Sequence, residues 1–271
     1  MASLSRYGLI AGNGKFPFLV LEAARSQGIE MVVAAIKEET FPEIEKHATT
    51  VHWMSLGQLG KLIKTFKAEG VDRVVMAGQV KHKQIFSGII PDLKMIQVLA
   101  SLATKNTDSL IGAVARVLES EGIQLLDSTV FLRPLLPEPG VLTRRAPSDE
   151  EKRDLDFGYR LARELGRLDV GQSVAVTDGA CVALEAMEGT DAVMERAAGL
   201  VNGRELRVVK LAKPNQDLRF DVPVIGPATV RLMARLSVTA LAIEARKTLM
   251  IDREELTRLA DENGITIVAV E

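Results

Sequence analysis

The stretch RYGLIAGNGKFPFLVLEAARSQG, Arg6 to Gly28, decides the fold class. Its first six residues are mostly apolar and stop at Gly12, which predicts a buried strand. From Phe16 onward, apolar side chains recur at helical spacing until Gly28, a residue type that commonly ends helices. A second apolar run, MVVAAI, begins at Met31. This order predicts a βαβ unit, and fully apolar strands predict a parallel sheet covered on both faces.

The same alternation continues to about residue 131. The segment LGQLGKLIKTFKAEG, residues 56–70, has helical periodicity, and VDRVVMAG, residues 71–78, predicts a third strand. A further helix is predicted over residues 108–122 and a further strand over residues 123–131. We therefore predict an N-terminal Rossmann-like domain over residues 1–131, an α/β domain built on a doubly wound parallel sheet.

The pattern changes at residues 132–150, which hold four prolines and little periodicity. We interpret this segment as an inter-domain linker. Ser148 and Glu151 have the spacing of a capping box and predict the start of a helix. Residues 151–271 then alternate again, with two strands expected to meet at the tight turn Asp178-Gly179. This region predicts a C-terminal domain of mixed α/β structure.

Composition narrows the functional classes. A formal net charge of −2 and 4% aromatic residues disfavour a nucleic-acid partner, which needs a basic surface or stacking platforms. No apolar run approaches the ~20 residues of a membrane span. Three histidines without zinc-site spacing argue against a soft metal site. Cys181, the single cysteine, lies in the apolar run ACVALEAM and is predicted to be a buried thiol. One cysteine and no signal-like N-terminal pattern favour a cytoplasmic location.

Two glycine-containing loops follow predicted strands of the first domain. Ligands of open α/β sheets bind beyond the carboxyl ends of the strands. We therefore expect a crevice lined by Gly12, Asn13 and Gly14 after the first strand, and by Gly78 and Gln79 after the third. Glycines at such a place let the backbone approach a phosphate at the next helix N-terminus.

The glycine loop leaves the kind of ligand open. A dinucleotide fingerprint would carry a third glycine where Pro17 stands, although Glu38 or Glu39 lies at a suitable distance for a ribose contact. Another nucleotide or phosphate, or a turn without any ligand, would explain the same residues.

The second domain concentrates polar clusters beside apolar strands: TDG at 177–179, EGTD at 188–191 and KPNQDLRFD at 213–221. The first two have structural explanations. Asp178 suits a hairpin turn, and Thr190 suits a helix N-cap with Asp191 in the first turn.

Asp221 is harder to explain by structure alone. Residues 218–224 alternate like a strand, which would put Asp221 and Arg219 on one face. A partly buried acid needs a cation or strong donors, so an ion pair with Arg219 is one explanation. The other is that Asp221 binds a divalent metal or activates water, while Lys213 and Arg219 stabilise phosphate charge. Periodicity leaves both open.

Four motifs, taken in order, resemble one family. GLIAGNGKFP, AGQVKHKQIF, LDVGQSVAVTDGACVALEAMEGTDAVMERA and KLAKPNQDLRFDVPVIGPAT are similar to those of the LpxI family, the UDP-2,3-diacylglucosamine pyrophosphatases of Gram-negative lipid A synthesis. The resemblance runs from about Tyr7 to Val270. It implies two domains with the substrate held between them, and hydrolysis to UMP and 2,3-diacylglucosamine 1-phosphate (lipid X). It also implies a divalent cation, typically Mg²⁺.

The resemblance carries over one catalytic residue. The family's essential aspartate lies in the motif R-x-D-x-P-x-I-G, which matches Arg219 to Gly226 and assigns the catalytic and metal-binding role to Asp221. Asn13 departs from the glycine-only loops of relatives. The other matching positions are expected to bind substrate: Gly12, Asn13, Gly14, Gly78, Gln79, Asp178, Glu188, Thr190, Asp191, Lys213, Gln216 and Arg219.

The implied substrate also predicts an apolar surface and a membrane. Acyl chains would contact Phe86, Ile89, Ile90, Leu135 and Leu136, and the protein would touch the inner face of the inner membrane transiently. Ordinary core or linker packing is the alternative for these side chains. The sequence leaves the oligomeric state open, a homodimer included. A nucleotide-dependent oxidoreductase and a non-catalytic nucleotide- or lipid-binding regulator are the rival functions.

Overall fold

A computed structural model describes residues 6–80, 90–102 and 107–271. The chain divides into two compact units. Unit 1 holds the residues up to Leu132 together with Leu218–Phe220, and unit 2 holds Arg133–Asp217 and Asp221–Glu271.

Unit 1 is built on one five-stranded parallel sheet. Its strands are β1 (Arg6–Ala11), β2 (Glu30–Ile36), β3 (Thr50–Met54), β4 (Arg73–Ala77) and β5 (Gln124–Leu125). Its helices are α1 (Phe16–Ser26), α2 (Leu59–Ala68), α3 (Leu93–Ser101) and α4 (Thr107–Ser120). The sheet order is β3-β2-β1-β4-β5. This order confirms the predicted doubly wound sheet, because the chain leaves β1 on one side and later returns to its other side at β4.

Two strands of unit 1 differ from the prediction. β3 was not predicted, because it is an edge strand with partly exposed residues such as Thr50 and His52 and therefore lacks a continuous apolar run. β5 occupies only two residues of the predicted 123–131. The chain turns instead because Asp127 Oδ1 accepts hydrogen bonds from the Thr129 N–H at 2.7 Å and the Thr129 hydroxyl at 2.6 Å.

The segment Leu218–Phe220 belongs to unit 1 although the surrounding chain belongs to unit 2. The Ser128 N–H donates to Leu218 O at 2.9 Å, and Ser128 Oγ lies 2.7 Å from Arg219 O. Phe220 packs against the hydrophobic core of unit 1. This segment is thus a short piece of the predicted second domain that is held by the first unit.

Unit 2 has a six-stranded mixed sheet and a two-stranded parallel pair. The strands of the large sheet are β6 (Gly140–Val141), β7 (Ser173–Thr177), β8 (Ala180–Leu184), β9 (Leu206–Lys210), β11 (Val238–Glu244) and β13 (Thr266–Val270). The pair is β10 (Val224–Ile225) with β12 (Leu249–Met250). The helices are α5 (Asp149–Arg167), α6 (Thr190–Leu200), α7 (Pro227–Arg235) and α8 (Arg253–Glu262).

The large sheet has the order β6-β13-β11-β9-β7-β8. β9, β11 and β13 are parallel, whereas β7 and β8 form the predicted hairpin and run antiparallel to their neighbours. Adjacent strand residues point to opposite faces, so Val209 packs with α5 while Val208 packs with α6, α7 and α8. Unit 2 is therefore a mixed sheet with helices on both faces, which agrees with the predicted C-terminal domain of mixed α/β structure.

Of the predicted linker, residues 132–150, all except Leu132 are part of unit 2. β6 pairs with β13, and Arg145 donates to both carboxylate oxygens of Glu151 at 2.6 and 2.8 Å. The predicted capping box is confirmed, since Ser148 and Glu151 bond reciprocally at the start of α5. Burial would raise the pKa of Glu151, but hydrogen bonds from Arg145 and the Ser148 N–H outweigh it and lower this pKa to about 2.

The prediction of a buried Cys181 is wrong. Cys181 is exposed because β8 is the last strand of the sheet, where an apolar run is covered by a neighbour on one edge only. Partial desolvation raises the pKa of its thiol. Cys181 therefore lacks the lowered pKa that marks a reactive cysteine.

Candidate functional site

The two predicted glycine loops of unit 1 lie against each other. β1 and β4 are adjacent and parallel, so the loops that follow them leave the same edge of the sheet. Asn13 and Gln79 exchange both backbone hydrogen bonds, at 2.8 and 3.0 Å. The structure thus brings together Gly12, Asn13, Gly78 and Gln79 at the switch point, where ligands of doubly wound sheets bind.

Close packing explains two of these glycines. A Cβ on Gly12 would lie 2.7 Å from Gln79 O, and a Cβ on Gly78 would lie 2.6 Å from Asn13 O. Gly78 and Gly14 also have positive φ angles of 94° and 92°, which favour glycine. The Gly12 and Asn13 N–H groups already donate to backbone carbonyls. These two amides are therefore engaged in joining the loops.

In unit 2 the polar residues gather at the carboxyl end of β9. Lys210 is the last residue of β9, and it pairs with Ser173 at the start of the antiparallel β7. Residues 211–217 continue from β9, residues 221–223 follow the segment held by unit 1, and the loop between β8 and α6 leaves the sheet at the same edge as the end of β9. We call this edge of unit 2 the charged edge.

Asp221 does not lie in a strand, so the prediction of a strand over residues 218–224 is wrong. The structure forms a strand only at Val224–Ile225, and the Asp221 N–H donates to Asp217 O at 2.9 Å in a turn. The apolar alternation that suggested a strand has another cause, since Phe220 packs into unit 1. Arg219 forms an ion pair with Glu119 at 2.6 Å, also within unit 1.

Lys210 is the residue that sequence reasoning missed. Its Nζ donates to Val224 O at 2.9 Å. Burial lowers the pKa of Lys210, and the carboxylates of Glu185, Asp191 and Asp221 partly oppose this shift. We call these four residues, Lys210, Glu185, Asp191 and Asp221, the strand-end cluster. The signal available in the sequence is a lysine at the end of an apolar strand. The acids near it are apparent only from the fold.

Hydrogen bonds connect Glu185 of the strand-end cluster to Thr190. Glu185 is buried, and its Oε2 lies 3.5 Å from Thr190 Oγ1 and 3.4 Å from the Gln172 N–H nitrogen. Thr190 Oγ1 is also 2.8 Å from Ser173 Oγ. The predicted N-cap role of Thr190 is wrong, because α6 begins at Thr190 and its N-cap is Gly189. Asp191 lies in the first turn of α6, as predicted.

Three further predicted residues lie in the loops that flank this edge. Gln216 Oε1 accepts the Lys213 N–H at 2.8 Å, and Lys213 Nζ pairs with Asp169 at 2.7 Å. Glu188 pairs with Arg196 at 2.6 Å. Hydrogen bonds from its own N–H, from Arg196 and from Ala186 lower the pKa of Glu188.

Asp178 lies apart from the charged edge. It forms the β7–β8 turn with φ 50°, at the end of β7 opposite to Ser173. Its N–H donates to Asp154 Oδ2 at 3.1 Å, and its carboxylate pairs with Arg204 at 3.3 Å. The structure thus gives Asp178 the contacts of a turn residue.

The charged edge offers oxygen donors but no closed metal cage. Among the residues that the structure describes, no three His, Cys, Asp or Glu side chains come close enough to hold a metal ion. Asp191 is exposed and Asp221 is partly exposed. Such donors suit a hard cation that also takes ligands from substrate and water.

Unit 1 contains an apolar cavity of about 410 Å³. Its floor is formed by residues from the carboxyl-terminal parts of four strands, Ile10, Ile36, Met54 and Met76, and its walls come from α2, α3 and α4. Of the predicted acyl-binding residues, Phe86 and Ile89 lie outside the described residues. Ile90 is exposed, Leu135 and Leu136 are half-buried in unit 2, and none of these three lines the cavity.

No helix in the described ranges is long and apolar enough to cross a membrane. Among solved structures, the biotin carboxylase domain of Hydrogenobacter thermophilus 2-oxoglutarate carboxylase has a TM-score of 0.26 at 13% identity, over 65% of this chain and 35% of that chain. Phosphoribosylglycinamide synthetase from Anaerococcus prevotii has a TM-score of 0.28 at 12% identity, over 74% and 44%. This chain thus spans less than half of either structure, and likeness at this level carries no argument.

Sequence comparison identifies the family. A model of the LpxI N-terminal domain matches residues 6–135, and a model of the LpxI C-terminal domain matches residues 138–268. The curated UDP-2,3-diacylglucosamine pyrophosphatase LpxI of Caulobacter vibrioides is 33% identical over 278 residues, which cover 99% of this chain and 98% of that protein. The chain therefore belongs to the LpxI family.

Proposed function

We propose that this protein hydrolyses the diphosphate bond of UDP-2,3-diacylglucosamine and releases UMP and 2,3-diacylglucosamine 1-phosphate, a step of lipid A biosynthesis. The observation that carries this proposal is the 33% identity to a pyrophosphatase of that name over nearly the full length of both chains. The charged edge of unit 2 supports it, because diphosphate hydrolysis requires groups that position water and balance phosphate charge.

Asp221 is the proposed catalytic residue. It belongs to the strand-end cluster with Lys210, and the Lys210 Nζ bond to Val224 O fixes the chain three residues beyond it. A carboxylate held on a fixed backbone can orient a metal ligand or a water with little reorganisation. Lys210 therefore serves as a positioning residue for Asp221.

We propose Mg²⁺ or another divalent cation as cofactor, with Asp221 as a ligand. Magnesium commonly takes one or two protein carboxylates and keeps phosphate oxygens and water as its other ligands. The carboxylates of Asp221 and Asp191 fit this mode. A bound cation would supply neutralisation of phosphate charge and a more acidic water.

Other parts of the chain would hold the substrate. Lys213 and Arg219 pair with Asp169 and Glu119, which are themselves substantially exposed. Both side chains are cations, so they would balance the charge of the substrate phosphates. The proposed substrate-binding residues are Gly12, Asn13, Gly14, Gly78, Gln79, Glu188, Thr190, Asp191, Lys213, Gln216 and Arg219. Asp178 is not retained, because it forms the turn at the end of β7 opposite to the charged edge.

We further propose a cytoplasmic enzyme that contacts the membrane surface peripherally. Ile90 is 86% exposed, and α3 exposes Leu93 by 79% and Ile96 by 48%. Scattered exposed apolar residues are ordinary, but a contiguous group marks an interaction surface. A diacylated substrate would bring these side chains to a lipid surface.

The test is release of UMP by purified protein from UDP-2,3-diacylglucosamine, measured with and without a chelator. We expect UMP formation that stops on chelation and returns with added Mg²⁺. Absence of UMP would contradict the proposed reaction. UMP formation that chelators leave unchanged would contradict only the metal assignment.

A further inference from the structure

Glu244 is a buried acid at the charged edge to which the proposed function assigns no role. It is the last residue of β11, and the parallel register places the residue before it, Ile243, opposite Lys210 at the end of β9. Its side chain is only 5% exposed. A buried carboxylate needs cations or hydrogen-bond donors in place of water, so the partners of Glu244 indicate what it does.

The two carboxylate oxygens of Glu244 have different kinds of partner. Oε1 accepts from Lys247 Nζ at 2.7 Å and lies 3.4 Å from the Arg163 guanidinium. Both of these cations are partly exposed and can take water as a partner instead. Oε2 accepts from the N–H of Ala212, a buried residue, at 2.9 Å. A buried N–H that loses its acceptor is costly, so Oε2 fixes the backbone where the chain leaves β9.

The backbone that is fixed in this way continues directly into Lys213. The Lys213 N–H donates to Gln216 Oε1 at 2.8 Å, and the Gln216 N–H donates to Lys213 O at 3.0 Å, so the chain closes into a turn. Helix α5 limits this turn on another side, because a Cβ on Gly166 would lie 3.2 Å from Pro214 Cδ. The hydrogen bond to Glu244 therefore helps to set the direction in which Lys213 leaves the sheet.

We propose that Glu244 is a positioning residue that holds Lys213 for a phosphate group of the substrate. The inference rests on the proposed function, in which Lys213 balances phosphate charge. Glu244 acts through the Ala212 backbone, since its own carboxylate is buried. Moving a substrate-positioning group by about 1 Å can cost roughly 10²-fold in rate. The bond that fixes the backbone beside Lys213 thus contributes to catalysis in addition to stability.

The experiment is a double-mutant cycle on kcat/KM for UMP release from UDP-2,3-diacylglucosamine. Glu244→Met removes both oxygens at similar side-chain length and should lower kcat/KM by roughly 10–100-fold. Glu244→Gln keeps an oxygen for the Ala212 N–H and should stay within about threefold of the wild type. In a Lys213→Met background, Glu244→Met should lower kcat/KM by less than about twofold further, because the cation that it positions is absent.

Glu151→Gln is the matched control, because Glu151 is a buried, arginine-paired acid at the start of α5, away from the charged edge. It should lower stability and keep kcat/KM. Where Glu244→Met does not fold, Gly166→Ala displaces the same turn from α5 and takes its place in the cycle. We expect it to cost roughly fivefold in kcat/KM, a loss that Lys213→Met abolishes.

Three outcomes contradict these expectations. An equal loss in both backgrounds would overturn the inference while the proposed reaction stands, because Glu244 would then act independently of Lys213. Near-normal kcat/KM in Lys213→Met alone would also overturn it, since no cation would need positioning. Absence of UMP with wild-type protein would overturn the inference and the proposed function together.

Discussion

The two sheet edges at which ligands would bind are built differently. In unit 1, the loops after β1 and β4 are joined backbone to backbone, and packing explains Gly12 and Gly78. In unit 2, the charged edge holds Lys210 among carboxylates, an arrangement that packing alone does not require. The glycine loops of unit 1, which the sequence suggests to be functional, thus have a structural reason. Lys210, which the sequence does not single out, lies where chemistry is expected.

Among the variants that compare the two sheet edges, Lys210→Met should have the largest effect. It removes the cation of the strand-end cluster and the bond to Val224 O, so Asp221 loses its fixed position. We expect kcat to fall roughly 10²–10³-fold, the loss typical of removing one preorganised donor. Steady-state UMP release measures it, with circular dichroism to verify the fold. Lys152→Met, an exposed lysine on α5, is the control. Near-normal kcat in folded Lys210→Met would show that the charged edge is only structural.

Glu151 provides a contrast to the acids of the charged edge, because it is a buried acid whose cationic partner has a structural role. Its pKa of about 2 lies below that of an unfolded glutamate, so the stabilisation is present above about pH 4.3 and is lost as pH falls toward 2. Glu151→Gln should lower the free energy of unfolding at pH 7 by on the order of 3 kcal/mol. Urea unfolding between pH 2 and 7 measures this. Wild type and variant losing stability in parallel as pH falls would contradict the assignment.

Alanine substitutions at two glycines of unit 1 should differ in their cost to stability, because the added methyl groups meet different surroundings. Gly78→Ala meets both a positive φ and a backbone oxygen at 2.6 Å, so we expect a loss of about 2–3 kcal/mol. Gly14→Ala has a similar φ but open space around the added methyl, so about 1 kcal/mol is expected. Chemical denaturation of both variants provides the test. Equal losses would mean that backbone strain, and not loop contact, explains these glycines.

The smallest effect concerns the membrane. The double variant Leu93→Asp/Ile96→Asp should reduce co-sedimentation with phosphatidylglycerol-containing vesicles by about threefold to tenfold, because apolar side chains no longer enter the interface. Leu168→Asp/Leu200→Asp alters two exposed leucines of unit 2 as a control. An equal reduction in both double variants would place the contact elsewhere.

Local pattern predicted most elements because their apolar periodicity reflects burial. It failed where another part of the chain decides the structure. β3 is an edge strand without an apolar run, and Cys181 is exposed because β8 ends the sheet. Phe220 occupies an apolar position of a strand-like alternating pattern, but it packs against the core of unit 1.

The candidate site divides in the same way. The motif around Asp221 was visible in the sequence, because a resemblance needs only residue order. Lys210 and the apolar cavity were not, since a charge cluster and a void are formed by residues far apart in the chain. The resemblance also implies substrate binding by Asp178, but the hairpin carries it to the end of β7 opposite to the charged edge.

The most direct test of the role of Asp221 is UMP release by Asp221→Asn, a change that removes charge and keeps shape. Asp156→Asn, at an exposed acid of α5, is the matched control. We predict that Asp221→Asn and Asp221→Ala both lose turnover by at least roughly 10²–10⁴-fold, with an unchanged fold, while Asp156→Asn keeps it. Near-normal turnover by purified Asp221→Asn would contradict the account.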